Sequence, residues 1–475
     1  MRHGAIIGLV AIFSASFSGD ASQATDIRPS ISLDSIEQSA SLAEVWALRG
    51  AAQGTAGEFL AEAANMPEKE ASNFELRGFL GRSLQESHAL QATIHDFNAA
   101  VRDHQAATAA LLPVVSFEYD QGRTNTPSSL RRYNQEENQT SSLNLEWPVF
   151  RSGGTIAGIA ASAFAAEAAR FRVISAERQQ VLESLGVYLQ LLGASKQIEY
   201  LSKSRASLQK VLAGTQKRFQ AGFASKTDIA EIRNEILTVT RELERLKLLE
   251  TEQRLRWRSD TGNRAAKKLS WPNVKKLVPS SAQATVRKAV SDNPVINISN
   301  SEAASEQYRA KAGMAEFLPR VDLYGRVSRE HAEPSSTREN DYEYSIGARL
   351  TVPLIDVAST ARYRRSKERA LASRYRAQDT ERQIRRDVEL AWNSLQSSRR
   401  QETLIKQQIS TSRQIKAGLI REYEAGLRPV SDYLLHEVEL AKLRQELVAN
   451  RINTVTLAWQ IALQFGSVSL AELTS

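Results

Sequence analysis

A chain of 475 residues with 42% hydrophobic and 24% charged residues has the composition of folded protein, which argues against wholesale disorder. It holds no cysteine, which excludes disulfides, thiolate metal sites and a lipid carried on a cysteine, and only 12 prolines, which leaves room for long helices. The formal charge of +8 could suggest nucleic acid. Its clearest source is the stretch from Arg362 to Arg386, which reads more plainly as a solvated helix face or a collar near anionic lipid headgroups.

In chain order, Met1-Arg2-His3 is a short basic start, Ala5 to Phe17 is mostly apolar, and small residues follow through Ala21, Ser22 and Ala24. That succession is a secretory signal peptide over 1–24, with cleavage after Ala24. No later run of about 18 apolar residues occurs, so no transmembrane helix is expected and any membrane entry falls to β-strands. Residues 25–80 form an N-terminal extension of unclear structure.

The remainder repeats itself. Leu111-Leu112-Pro113-Val114 recurs as Phe317-Leu318-Pro319-Arg320, and Trp147-Pro148-Val149-Phe150 as Val352-Pro353-Leu354-Ile355. Arg218-Phe219-Gln220-Ala221-Gly222 recurs as Glu422-Tyr423-Glu424-Ala425-Gly426, Thr227-Asp228 as Ser431-Asp432, and Thr261-Gly262 as Phe465-Gly466. Five landmarks at an offset of 204 to 206 residues mark one structural unit used twice. The units span 81–262 and 286–466, with a linker over 263–285 and a tail over 467–475.

Each unit opens with a helix and continues with a β-hairpin, about 111–150 and 317–355. Val115, Phe117 and Tyr119 alternate with Ser116, Glu118 and Asp120, and Leu143, Leu145, Trp147 and Val149 with Asn144, Glu146 and Pro148. The second copy alternates in the same way from Val321 and from Tyr344. A period of two predicts strands with one apolar and one polar face, joined by polar loops over Gly122 to Asn138 and Glu330 to Asn340. About ten residues of such alternation suits a transmembrane β-strand, and also an ordinary soluble hairpin.

Helix on a longer scale follows. Gly154 to Ala221, and Val357 to Ala425, contain no proline. Nearly seventy residues at 1.5 Å each predict a rod of about 100 Å. Breaks at Ala221-Gly222 and Ala425-Gly426 give tips over 221–228 and 425–432, where glycine serves a turn of positive φ. Thr227 and Ser431 stand where caps would start the return helix. There Ile229, Ile232, Ile236, Val239, Leu243 and Leu246 form a coiled-coil seam, which His436 and Asn450 interrupt in the second copy.

No enzyme chemistry is legible. The histidines form no HExxH, no phosphate-binding glycine loop or GxSxG elbow occurs, and acids mostly alternate with bases as on solvated helix faces. No catalytic residue, metal or cofactor is expected. Four strands cannot close a barrel, and open edges in lipid are costly, so strands that enter a membrane require several chains to share one barrel.

The LLP and FLP strand openings, the WPVF and VPLID strand exits, the RFQAGFASKTD and EYEAGLRPVSD turns and the duplication resemble the TolC family of outer-membrane efflux and type I secretion channels. The resemblance covers about Leu90 to Gly466. It implies a mainly α fold with a small β part, in which a homotrimer shares a twelve-stranded barrel in outer-membrane lipid above a long helical barrel in the periplasm. It also implies an outer-membrane exit duct whose tips, around Gly222 and Gly426, dock a periplasmic adaptor. That adaptor joins an ABC or proton-driven inner-membrane transporter, and no nucleic acid takes part. The family closes its periplasmic end through polar links, and the matching positions are Thr227, Asp228, Tyr423 and Arg428. Asp432 matches an acidic position at the pore entrance, whereas the next such position is Leu435, so the negative ring is thinner than the family's. The competing reading is a soluble periplasmic coiled-coil adaptor or scaffold, which explains the signal and the helices but not two amphipathic strand pairs.

Overall fold

The computed structural model describes residues 76–127, 133–266, 269–274, 277–332 and 342–465. The signal peptide at 1–24, the extension up to residue 75 and the tail at 467–475 lie outside them.

The chain opens with α1 (Leu76–Glu86) and α2 (His88–Ala109), and the hairpin β1 (Val114–Pro127) and β2 (Tyr133–Phe150) follows. Two long helices come next, α3 (Gly154–Gln220) and α4 (Lys226–Thr261). The second unit repeats this order with α5 (Ala282–Asp292), α6 (Pro294–Met314), β3 (Arg320–Ala332), β4 (Tyr342–Thr351), α7 (Val357–Glu424) and α8 (Val430–Ala462). The duplication is therefore structural. At 67 and 68 residues, α3 and α7 each extend about 100 Å.

The four strands form one antiparallel sheet in the order β1-β2-β3-β4. Its register aligns the alternation of all four. Val115 faces Leu145, which faces Gly325, which faces Ile346; one row on, Phe117, Leu143, Val327 and Tyr344 are aligned. The opposite face carries Ser116, Asn144, Arg326 and Ser345 in the same manner. In these rows one face is thus apolar on all four strands, with Ser141 and Arg329 entering only in the next row, and Phe117, Tyr344 and Ile346 on it stand exposed in the single chain. On the polar face the Tyr324 ring packs over Gly347, with the Arg349 guanidinium 5.1 Å from its centroid. β1 and β4 are the sheet's edges and have no further partner within the described residues.

The strands are longer than the alternation suggested. Most of the stretch read as a polar loop, Gly122 to Asn138, pairs as ladder out to Pro127 opposite Tyr133, and β3 runs to Ala332. Polar residues on both faces erase the period of two there, yet the backbone continues to pair.

α6 packs along α3, α2 against α3, and α6 against α7, while α3–α4 and α7–α8 form the two helical hairpins. In α4, Ile232, Val239, Leu243 and Leu246 are buried as the seam requires, with Ile229 and Ile236 half-buried. In α8, Asn450 is buried on its seam: its Nδ2 donates to the Ser398 carbonyl at 2.9 Å, and its Oδ1 accepts from Ser398 Oγ at 2.7 Å.

The first helix starts ahead of residue 81. Phe79 stacks on Trp257 with centroids 3.8 Å apart, and Leu80 and Leu84 are fully buried, so α1 packs on the first helical hairpin. Its short amphipathic stretch carried no repeat landmark. His104 of α2 is also buried and meets Ser162 of α3 at 2.9 Å, a packing role consistent with burial lowering its pKa.

Candidate functional site

The tips where each helical hairpin reverses carry the candidate residues. Both helices end in the same way. Gly222 and Gly426 adopt φ of 83° and 79°, the left-handed region that favours glycine. The next amide reaches back to close the turn: Phe223 N–H donates to the Arg218 carbonyl at 2.7 Å, and Leu427 N–H to the Glu422 carbonyl at 2.9 Å. Gly222 and Gly426 donate to the carbonyls of Phe219 and Tyr423. These paired bonds are the Schellman closure, which satisfies carbonyls that a helix end leaves free. The turn projects Phe223 and Leu427 into solvent, 75% and 76% exposed.

The return helices start differently from the expectation. Ser225, not Thr227, caps α4: its Oγ accepts from Asp228 N–H at 3.0 Å, and its own N–H donates to the Asp228 carboxylate at 2.9 Å. Thr227 lies inside the first turn, exposed. The Ser225-Lys-Thr-Asp228 spacing was a legible capping box, since a serine and an acid three residues apart serve each other's free amides. In α8 the cap position is Pro429, not Ser431, which again falls within the first turn.

The other candidates each have a partner inside the chain. Arg428 bonds Glu422 at 2.8 Å and Asp432 at 3.1 Å. Tyr423 is buried, with its hydroxyl 2.8 Å from that of Thr215 and its ring 4.9 Å beneath the Arg218 guanidinium. No hydrogen bond or ion pair joins Asp228, Tyr423 and Arg428 to one another within the chain. Leu435 of α8 is exposed.

Behind the tips lies a polar cluster that the sequence reading missed. Glu437 of α8 is 2% exposed, pairs with Lys416 of α7 and accepts from Ser204 Oγ of α3. Tyr433 lies beside it, 3.2 Å from Ser207. Glu235 of α4 has its carboxyl pKa raised, first by burial and then by the charge of Glu437. These residues link helices from both hairpins. Arg218 stood within a repeated motif, but nothing local marks Glu437 as buried, because Ser204 is 233 residues away and Lys416 lies on the preceding helix.

Among the described residues, no group of three or more acids, histidines or cysteines could hold a metal, and no helix is long and apolar enough to cross a membrane.

Comparison with known proteins matches residues 79–262 and 285–464 to the family described as outer membrane efflux protein, one match for each repeat. A curated relative, the alkaline protease secretion protein AprF of Pseudomonas aeruginosa, is 25% identical over 410 residues, covering 79% of this chain and 82% of AprF. Among solved structures, a CusC structure covers 83% of this chain and 92% of its own at 13% identity, with a TM-score of 0.75. The CmeC outer membrane channel of Campylobacter jejuni covers 84% of this chain and 88% of its own at 14% identity, with a TM-score of 0.73. OprN, an outer-membrane channel, covers 84% and 92% at 17% identity, also with a TM-score of 0.73. At these identities the structural matches speak to the fold.

Proposed function

Because the chain belongs to the outer membrane efflux protein family, we propose that it works as a homotrimer, the exit duct of a three-part export system. The protein is an outer-membrane duct with its helical hairpins in the periplasm. The observation that carries the trimer is the sheet, which brings four strands, an apolar band shared by all four on one face and two open edges. Each unpaired edge amide in hydrocarbon costs several kcal/mol, and the smallest single-chain barrels have about eight strands. Three copies, joined β4 to β1, make twelve strands without an edge, apolar outside and polar within. A soluble adaptor has no use for such a sheet.

A periplasmic adaptor docks on the tips around Gly222 and Gly426 and couples the duct to an inner-membrane ABC or proton-driven transporter. The exposed Phe223 and Leu427 support a docking role, since they offer apolar surface at the same place in both repeats. The favoured cargo is a secreted protein, because the curated relative is a protease secretion protein. A small molecule is the second reading, favoured by the efflux description of the family.

Asp228, Tyr423 and Arg428, flanked by Thr227 and Asp432, hold the resting entrance shut through contacts between unlike hairpins. Opening exchanges those links for adaptor contacts. Fractionation tests the duct: detergent-resistant, heat-modifiable trimers in the outer membrane are expected, and release of the protein by osmotic shock contradicts it.

A further inference from the structure

An open cleft of about 440 Å³ lies between the last turns of α3 and the facing turns of α7 and α8. Lys210 and Arg218 enter it from α3, Arg413 and Lys416 from α7, and Arg444 from α8, whereas Glu424 is the one carboxylate among the lining residues. Lys416 is neutralised by Glu437. The remaining four cations have no carboxylate partner within ion-pair distance among the described residues. Arg218 is held by backbone carbonyls of Glu424 and Phe223, and Arg444 lies 5.6 Å from the Tyr200 ring. The Nε atoms of both Arg218 and Arg444 are buried and unpartnered. Burial pushes the pKa of Arg444 down and the charge of Arg413 pushes it further, against the opposing pull of Glu437.

A half-buried guanidinium pressed by a second cation is electrostatically short of an anion. A carboxylate among these groups gains charge-assisted, in part bidentate, hydrogen bonds. Val211, Ile420 and Leu440 give the same cleft an apolar lining. That mixture suits an amphipathic helix laid between helices better than a free ion, which has no use for the apolar part.

We propose that this cleft is a carboxylate dock that takes a Glu or Asp side chain from a helix of the protein partner seated on the hairpin tips. The proposal rests on the reading that the tips face such a partner. It adds the partner's chemistry: acidic where it meets α3 and α7, apolar toward the floor.

The test uses the full-length protein in detergent and a labelled, end-blocked Ala/Leu helical peptide of about 20 residues. Two Glu residues stand one turn apart, and a Gln version is the control. The Glu peptide is expected to bind with an affinity that falls as salt rises. The Gln peptide is expected to bind at least about tenfold more weakly. Lys210→Glu with Arg413→Glu changes two exposed side chains, so the fold is retained, and is expected to weaken the Glu peptide by a similar factor. Equal binding of the two peptides, or of the Glu peptide to wild type and variant, overturns the dock. Inorganic phosphate that binds while the Glu peptide does not overturns the protein source, leaving a free-anion site. A trimer that resides in the outer membrane yet ignores the Glu peptide overturns the dock alone, whereas loss of the duct itself is read from fractionation.

Discussion

The phenolic oxygen of Tyr423 lies 2.8 Å from the hydroxyl of Thr215 in a site closed to solvent, so the two helical hairpins of one chain are fastened together beside their tips. Tyr423 fills the gap with its ring, accepts the Arg218 cation above it and satisfies its hydroxyl on α3. A residue expected in the periplasmic closure therefore joins the two repeats of its own chain.

Tyr423→Phe strands the Thr215 hydroxyl, at a cost of about 1–3 kcal/mol if it stays buried. Amide exchange in the last turns of α3 and α7 is expected to accelerate while α1 and α2 keep their rates. Combined with Arg428→Ser, the change is expected to raise single-channel conductance in planar bilayers. Unchanged conductance removes Tyr423 and Arg428 from the gate.

Asn450 and Ser398 fix the register of α7 against α8 through two direct side-chain bonds. Asn450→Ala removes both bonds at a buried position and is expected to lower stability by about 1–3 kcal/mol. Asn450→Leu with Ser398→Ala is expected to recover most of that loss, because both polar partners leave together. Thermal melts of the two variants decide it, and equal losses contradict it.

Glu235 gives stability a pH dependence of definite sign. Its folded pKa is raised above the ordinary 4.5 by burial and by Glu437, so the folded state holds its proton more tightly than the unfolded state. The penalty is absent below about 4.5 and grows as pH rises through the raised value. Glu235→Gln is expected to stabilise the protein near pH 7. That gain fades on acidification, and a difference in melting temperature that does not change with pH contradicts the assignment.

Gly154 sits where β2 turns into α3, and a Cβ there would stand 2.7 Å from the Ala315 Cβ. Neither group can rotate away. Gly154→Ala is expected to destabilise the junction of the two repeats by about 1–3 kcal/mol, measured by denaturant unfolding. Gly193→Ala meets instead the flexible end of Ile452, also at 2.7 Å, and is expected to cost less.

The architecture was legible because it is periodic: 3.6-residue helices without proline, two-residue strands and a doubled set of landmarks leave signals in any window. The seam of α4 was read residue by residue, since Ile232, Val239, Leu243 and Leu246 announce themselves by spacing. Ser225 rather than Thr227 holds the cap, and its signal was present in the sequence, since Asp228 stands three residues on, where a capping box requires it. The outer ends of the strands were missed because polar residues on both faces hide them. The cluster of Ser204, Lys416 and Glu437 was beyond reach, as only long-range packing brings α3 against the α7–α8 hairpin there. The same holds for the cleft, whose cations look like ordinary solvated charges until α3, α7 and α8 converge.

The shared barrel is the central claim, and the absence of native cysteine makes it directly measurable. Tyr344→Cys on β4 is combined in turn with Val115→Cys, Phe117→Cys or Tyr119→Cys on β1, all on the apolar face, and the chains are oxidised in outer membranes. At least one combination is expected to convert the protein into a covalent species of three chains and nothing larger, because the β4-to-β1 seam closes a ring. No cross-link in any combination, a product that stops at two chains, or a ladder that extends beyond three would contradict it.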